Sequence, residues 1–196
     1  MPKIVTKGAN MKKNLGVKAL IYPMPVLIIG TYNEDGTPNA MNAAWGTVCD
    51  TDKVIITLSL CHKTVQNILR DKDFTVACAD KDNVIPADYV GIVSGNDVPD
   101  KIAKTGWSQK RGEKVNAPVF DQLPVALECT LISYDEENEI LIGKVLNAVA
   151  DESVLDDKGR VDLSKYSPVA YDCSTHGYYA LTRRVGQAFS DGKKIK

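Results

Sequence analysis

The run VLIIGTY, Val26–Tyr32, followed by NEDGTPN, constrains the fold most. Branched and aromatic residues in this density favour a strand. Asp35-Gly36 is a strong short-range signal for a tight hairpin. The return strand then runs through NAMNAAWGTV, from Asn39 to Val48. KVIITLSL (Lys53–Leu60) and DFTVACA (Asp73–Ala79) read as two further strands. PVALECTLISYDEENEILIGKVLNAVAD reads as a long hairpin turning at DEENE. Antiparallel strands in such number must close on themselves or be covered, because open edges invite pairing with other chains. The expectation is a mainly β protein, a barrel of about six antiparallel strands with a few short helices.

The helices are marked by a change of period. In HKTVQNILRD, Val65, Ile68 and Leu69 stand at i, i+3 and i+4, which predicts a helix from Lys63 or Thr64. A second short helix is expected after Pro86, ending near Gly95. A third, in DVPDKIAKTG, is stopped by Gly106. SQKRGEKVNAP reads as a polar loop, residues 151–168 as polar turns, and the tail YYALTRRVGQAFSDGKK as partly helical. Residues 1–16 are rich in Lys, Asn and Gly and read as an N-terminal arm. Residues 17–196 read as one domain without internal repeats.

Composition excludes several classes of function. The 24 basic and 25 acidic residues leave a formal charge of -1, which gives no footprint for a nucleic acid. The longest apolar stretch, ALIYPMPVLIIG, holds two prolines and is too short to cross a bilayer, so no membrane role is expected. Cys49, Cys61, Cys78, Cys129 and Cys173 form no C-x-x-C pair. With only His62 and His176 beside them, no metal site is expected. Free thiols and the lack of an apolar leader in MPKIVTKGANMKKNLG fit a cytoplasmic protein.

Two stretches could carry chemistry. In a regular strand Asn39, Met41, Ala43 and Trp45 share one face, and Ala40, Asn42 and Ala44 the other. Asparagine is a poor strand residue, and a buried amide left unpaired costs about 1–3 kcal/mol. Small residues admit a flat ligand close to the backbone, and an amide can both donate to and accept from a heteroaromatic edge. The competing reading is structural: Asn39 ends the turn, Asn42 satisfies a neighbouring backbone group, and Trp45 is core.

The second stretch is LSLCHKT, where a strand meets a helix. The first N–H groups of a helix lack internal partners and attract anions. Ser59, His62, Lys63 and Thr64 could complete such a site, and Asn67 shares a helix face with Lys63 and Thr64. Alternatively, Thr64 caps the helix and Lys63 is solvated. Together the two stretches describe a ligand with a flat ring and a phosphate, either flavin mononucleotide (FMN) or pyridoxal phosphate. No Schiff-base lysine is marked for the latter.

The chain resembles the flavin reductase-like proteins with an FMN-binding split barrel, and most closely the flavoredoxins. The resemblance is carried, in order, by YPMPVLIIGTYNEDGTPNAMNAAWG, HKTVQNI, FTVACAD, ADYVGIVSG, DKIAKTG, NAPVF, PVALECTL, ADESVL and GQAFSDGKK. It implies a six-stranded Greek-key split barrel with added helices. It also implies a homodimer with FMN near the subunit interface. Asn39, Met41, Asn42, Ala44 and Trp45 would then line the isoalloxazine and ribityl chain, partly through backbone groups. Ser59 and Cys61–Thr64, with His62 and Lys63 among them, would hold the phosphate. Ser94-Gly95 and Lys101 match positions near the flavin. Many members carry a Pro-Pro pair and an arginine around the third strand. Here the loop is shorter, and His62-Lys63 stand in place of the arginine.

The family contains NAD(P)H-dependent flavin reductases and plain electron carriers. The resemblance therefore implies electron transfer through bound FMN, with NAD(P)H or a redox protein as donor. No G-x-G-x-x-G fingerprint marks a separate dinucleotide-binding domain. A barrel that binds flavin or haem without turnover is the other reading, with His176 as the haem ligand.

Overall fold

The computed structural model describes residues 11–195. Residues 11–23 run exposed before the first strand. Residues 1–10, the rest of the expected arm, lie outside the described residues. The strands are β1 (Met24–Pro25), β2 (Leu27–Tyr32), β3 (Pro38–Ala43), β4 (Gly46–Asp50), β5 (Lys53–Thr57), β6 (Asp73–Cys78), β7 (Gln109–Arg111), β8 (Pro118–Phe120), β9 (Val125–Asp135), β10 (Ile140–Ala150), β11 (Val169–Asp172) and β12 (Gly177–Ala180). The helices are α1 (Lys63–Asp71), α2 (Val84–Ile92) and α3 (Lys101–Thr105). Seven strands form one antiparallel sheet in the order β3-β2-β6-β9-β10-β5-β4. β1-β11-β12 and β7-β8 form two small sheets.

The sheet is curled of necessity. β3 and β4 are its two edges, yet only Ala44 and Trp45 separate them. Seven strands laid flat would place the edges about 29 Å apart at the usual spacing. Two linking residues span at most about 11 Å between Ala43 and Gly46. The sheet therefore bends into a half-barrel, in keeping with the barrel that the strand pattern predicts and the split barrel that the resemblance implies, with three helices against it. The expected single return strand Asn39–Val48 is two strands: β3 pairs with β2, and β4 pairs with β5. Gly46 marks the crossing, since a Cβ there would stand 2.8 Å from Leu27 Cδ1 and 3.1 Å from Ile56.

Two cores flank the sheet. Leu27, Ile29, Met41, Ile56, Val65, Ile68, Phe74 and Val76 pack on one side, which α1 covers. Val26, Ile28, Ala40, Ala77, Val90, Ile102 and Phe120 pack on the other, beneath α2 and α3. β2 is thus buried on both faces, which explains its unbroken apolar run. Thr75 is the polar exception among the buried residues of β6: it is 2% exposed and donates from Oγ1 to Pro118 O at 2.6 Å. Thr75→Val keeps the shape and leaves that carbonyl without this donor. A loss of about 1–2 kcal/mol is expected, read as a lower urea midpoint at unchanged slope.

Three expectations need correction. α2 begins at Val84 rather than after Pro86 and ends at Ile92 rather than near Gly95. Proline is tolerated in a first turn because its missing N–H has no partner there. The polar loop SQKRGEKVNAP contains β7, which pairs with β8. In the tail, Gly177–Ala180 is a strand on β11, and only Asp191–Lys194 is helical, as a 3-10 turn. The aromatic pair Tyr178-Tyr179 favours that pairing.

Candidate flavin cleft

Beside the Ala44–Trp45 link lies a cleft of about 400 Å³. Met41, Asn42, Ala43, Ala44 and Trp45 line it from the β3–β4 crossing, and Thr57, Leu58 and His62 from the end of β5 and the loop after it. α2 adds Asp88, Gly91 and Ile92, and the β11–β12 hairpin adds Tyr171, His176 and Tyr178. The volume is that of an ordinary small-molecule site. Trp45 is 56% exposed. Asn42 is half-buried and donates to Ala87 O at 3.1 Å, which ties β3 to α2.

At one end of the cleft the Ser59–His62 loop leads into α1. His62 is the N-cap, and no side chain caps the helix. Cys61 Sγ lies 3.4 Å from Ser59 Oγ, and Asn96 Nδ2 donates to Cys61 O at 3.1 Å. The latter bond brings the Ser94–Asn96 turn against this loop, where Ser94 Oγ accepts from Asn96 N at 3.1 Å. Lys63 is half-buried, with its stem against Gly95.

Beneath this surface is a buried polar cluster. Asn39 Nδ2 donates to Thr64 Oγ1 at 2.8 Å and to Thr31 Oγ1 at 3.2 Å. Asn67 Nδ2 donates to Thr31 Oγ1 at 3.1 Å and to Asn33 Oδ1 at 3.0 Å. Asn39 Oδ1 is buried without a hydrogen-bond partner among the described residues and faces Gly95, where any Cβ would collide with it. Three asparagines and two threonines thus lock β2, the turn after it, β3 and the first two turns of α1 together. Lys101 is 2% exposed and donates to Val90 O at 2.9 Å and Val93 O at 2.6 Å. Burial holds its ammonium down at about 8. It clamps the C-terminal end of α2, where a cation is favoured by the helix dipole.

Of the residues singled out in the sequence, Met41, Asn42, Ala44, Trp45 and His62 line the cleft. Ser59, Cys61, Lys63 and Ser94 gather at the uncapped end of α1. Asn39, Asn67 and Lys101 are buried with their donors turned to protein acceptors, and Thr64 is buried with its hydroxyl accepting from Asn39. Asp88, Tyr171 and Tyr178 escaped sequence reading. Their only signal is the aromatic pair flanking DCSTHG, which becomes legible once the segment is known to be a hairpin. His176 Nδ1 lies 2.7 Å from Tyr171 Oη, so that nitrogen already has a partner. Tyr178 donates to Asp88 Oδ1 at 2.7 Å. Burial first, and then this bond, push its phenol up to about 12.

The chain matches the flavin reductase like domain over residues 19–176. Flavoredoxin of Desulfovibrio vulgaris (Miyazaki F) is 36% identical and superimposes with a TM-score of 0.88, covering 93% of this chain and 100% of that one. Flavoredoxin from Methanosarcina acetivorans is 26% identical, with a TM-score of 0.81 over 96% of this chain and 100% of its own. The FMN-binding domain of a flavin reductases-like enzyme from Shewanella baltica OS155 shares the fold at 21% identity, with a TM-score of 0.74 over 83% of this chain and 88% of that one. No described helix is long and apolar enough to cross a membrane. A match over most of the chain, on a split barrel shared with both flavoredoxins, places this protein in the flavin reductase-like family.

Proposed function

We propose that this protein is an FMN-binding redox protein of the flavoredoxin type, which holds about one FMN per chain and passes electrons through it. The observation that carries this reading is the meeting, in one place, of an aromatic-lined cleft and the uncapped N-terminus of α1 beside Lys63. A flat ring fits against Met41, Asn42, Ala44 and Trp45. Phosphate fits the N–H groups of α1, with Ser59, Cys61, His62 and Lys63 around them and Ser94 adjacent. The buried Asn39, Thr64, Asn67 and Lys101 act from beneath, fixing the loop and α2 in position. FMN, when bound, supplies a ring that accepts and returns electrons. The chain's part is to orient that ring and keep the phosphate end neutralised.

The same reading makes NAD(P)H or a redox protein the electron donor, so the protein is a flavin reductase in the first case and a carrier in the second. It makes residues 17–196 one flavin-binding domain, preceded by an arm. It also makes the protein a homodimer. β4 supports this, as an unpaired edge with Val48 exposed, and so do the exposed apolar side chains of Ile92, Val185 and Phe189. Free thiols at all five cysteines support a reducing compartment such as the cytoplasm. Titration of the apoprotein with FMN tests the reading. Saturation near one FMN per chain is expected, followed by anaerobic bleaching with NADH or NADPH if the donor is a dinucleotide. A protein that leaves FMN fluorescence and the heat of mixing unchanged overturns it.

A further inference from the structure

The cleft contains a pair of groups that flavin binding does not require. In the β11–β12 hairpin Tyr171 stands opposite Tyr178. His176, in the turn, has φ 58°. Residues other than glycine rarely take that conformation, at a cost of roughly 1–2 kcal/mol. Here it accompanies an imidazole nitrogen set 2.7 Å from Tyr171 Oη. Asp172 braces the turn, accepting from Ser174 N at 2.9 Å, from Thr175 Oγ1 at 2.6 Å and from Tyr22 Oη. These bonds, that of Thr175 first, hold its carboxyl down at about 2, so the brace stays charged at neutral pH.

The two tyrosines differ in what their protons can do. Tyr178 is committed to Asp88 and holds its proton tightly. Tyr171 has a base as partner, so a proton it gives up can be replaced. His176 is exposed to water, which can restore the proton in turn. Trp45, Tyr171 and Tyr178 suit a flat conjugated ring in the cleft. Asp88 and His62 share the lining, and among the described residues no lysine or arginine does, so an anionic acceptor is disfavoured.

We propose that Tyr171 and His176 form a proton relay to a neutral acceptor of the quinone class reduced in this cleft. The relay rests on the flavin reading above, which supplies the reductant. FMN, when bound and reduced, would supply a hydride to one quinone oxygen, which would leave the second as an oxyanion. Tyr171 Oη–H gives its proton to that oxyanion. His176 Nδ1–H gives its proton to Tyr171 Oη as its Nε2 takes one from water, so that the ring passes a proton through without a net change of charge. One hydride and one proton enter, and a neutral hydroquinone leaves.

The test uses the holoprotein, photoreduced anaerobically and mixed rapidly with 1,4-benzoquinone or with ferricyanide, while flavin reoxidation is followed. Ferricyanide takes single electrons and no proton. Wild type, Tyr171→Phe and His176→Gln are compared, each with its FMN affinity and its solvent deuterium effect. With benzoquinone, reoxidation is expected to slow about a hundredfold in Tyr171→Phe and about tenfold in His176→Gln, and the deuterium effect of wild type to disappear. With ferricyanide the rates should change less than about threefold, since no acid catalysis is involved. In the 15N-histidine spectrum of the apoprotein, Tyr171→Phe should move the His176 Nδ1 resonance. Equal slowing with both acceptors, or none with the quinone, overturns the relay, and an unmoved Nδ1 resonance overturns the pair. A wild-type protein that binds no FMN overturns the flavin reading before any acceptor is mixed, and the relay with it.

Discussion

Lys101→Met is expected to remove about 3 kcal/mol of pH-dependent stability between pH 8 and pH 10.5. Lys101 is buried against the carbonyls of Val90 and Val93, with no carboxylate among the described residues as partner. Burial lowers its ammonium from the ordinary 10.5 to about 8 in the folded protein. Below pH 8 both folded and unfolded chains carry the proton, and the folded state bears the full cost of a buried charge. Between pH 8 and 10.5 the unfolded chain binds more protons, so stability rises with pH. Above that window neither state is charged and the penalty is gone.

Other groups oppose this trend. Burial, with Glu128 adding to it, pushes Cys129 up to about 12; burial, with Asp88, does the same for Tyr178. Their folded forms keep protons that the unfolded chain releases, so stability falls from about pH 9 for Cys129 and pH 10 for Tyr178, up to about pH 12, which overlaps the upper part of the Lys101 window. The quantity to measure is therefore the difference in urea stability between wild type and Lys101→Met, at several pH values across the window. It should grow in favour of wild type as pH rises. A difference that stays flat would show that the Lys101 charge is not buried at a cost.

The second large effect concerns Lys63. FMN ends in a dianionic phosphate at neutral pH, whereas riboflavin ends in a hydroxyl. Lys63 stands at the first position of α1, where its charge adds to the field of the helix end. Hydrogen bonds to charged groups contribute roughly 1.5–3 kcal/mol, so Lys63→Ala should weaken FMN about tenfold or more. Riboflavin affinity should change little. Asp35 competes for the same cation: its carboxyl lies low chiefly through Thr37, with Lys63 contributing. Asp35→Asn should accordingly tighten FMN only slightly, since a solvent-exposed charge is screened. The measurement is a pair of titrations, FMN and riboflavin, against each protein. An unchanged ratio of the two affinities in Lys63→Ala would move the phosphate site away from α1.

Much of the fold is legible in the sequence because its signals are local. β2 shows as a branched run, α1 by its i, i+3, i+4 spacing, and the β9–β10 pair by its length and its polar turn. The break at Ala44–Trp45 is not legible, because residues on both sides read as strand. What ends β3 is a change of partner strand, and partners are set by packing far away in sequence. The β11–β12 hairpin hides for a related reason: four-residue strands around a polar turn carry too little periodicity to stand out. The candidate site divides in the same way. Asn39–Trp45 and Ser59–Asn67 draw notice as polar residues in apolar surroundings. That Asn39 and Asn67 turn their amides to Thr31 and Thr64 or Asn33 follows only from the packing of α1 on β2 and β3. Asp88 and Tyr171 enter the cleft through α2 and the hairpin, with no local mark of their own.

The two-residue link between the sheet's edges has a mechanical consequence. Its outermost strands, β3 and β4, are the ones expected to fray, since each has a neighbour on one side only. Ala44 and Trp45 tether them, so slack at one edge is passed directly to the other. A molecule gripping Ala44 and Trp45 would take up that slack at both ends together. Amide exchange would then slow in β3 and in β4 by a common factor, although few of those amides touch the molecule, and the seam of the barrel would open as one unit.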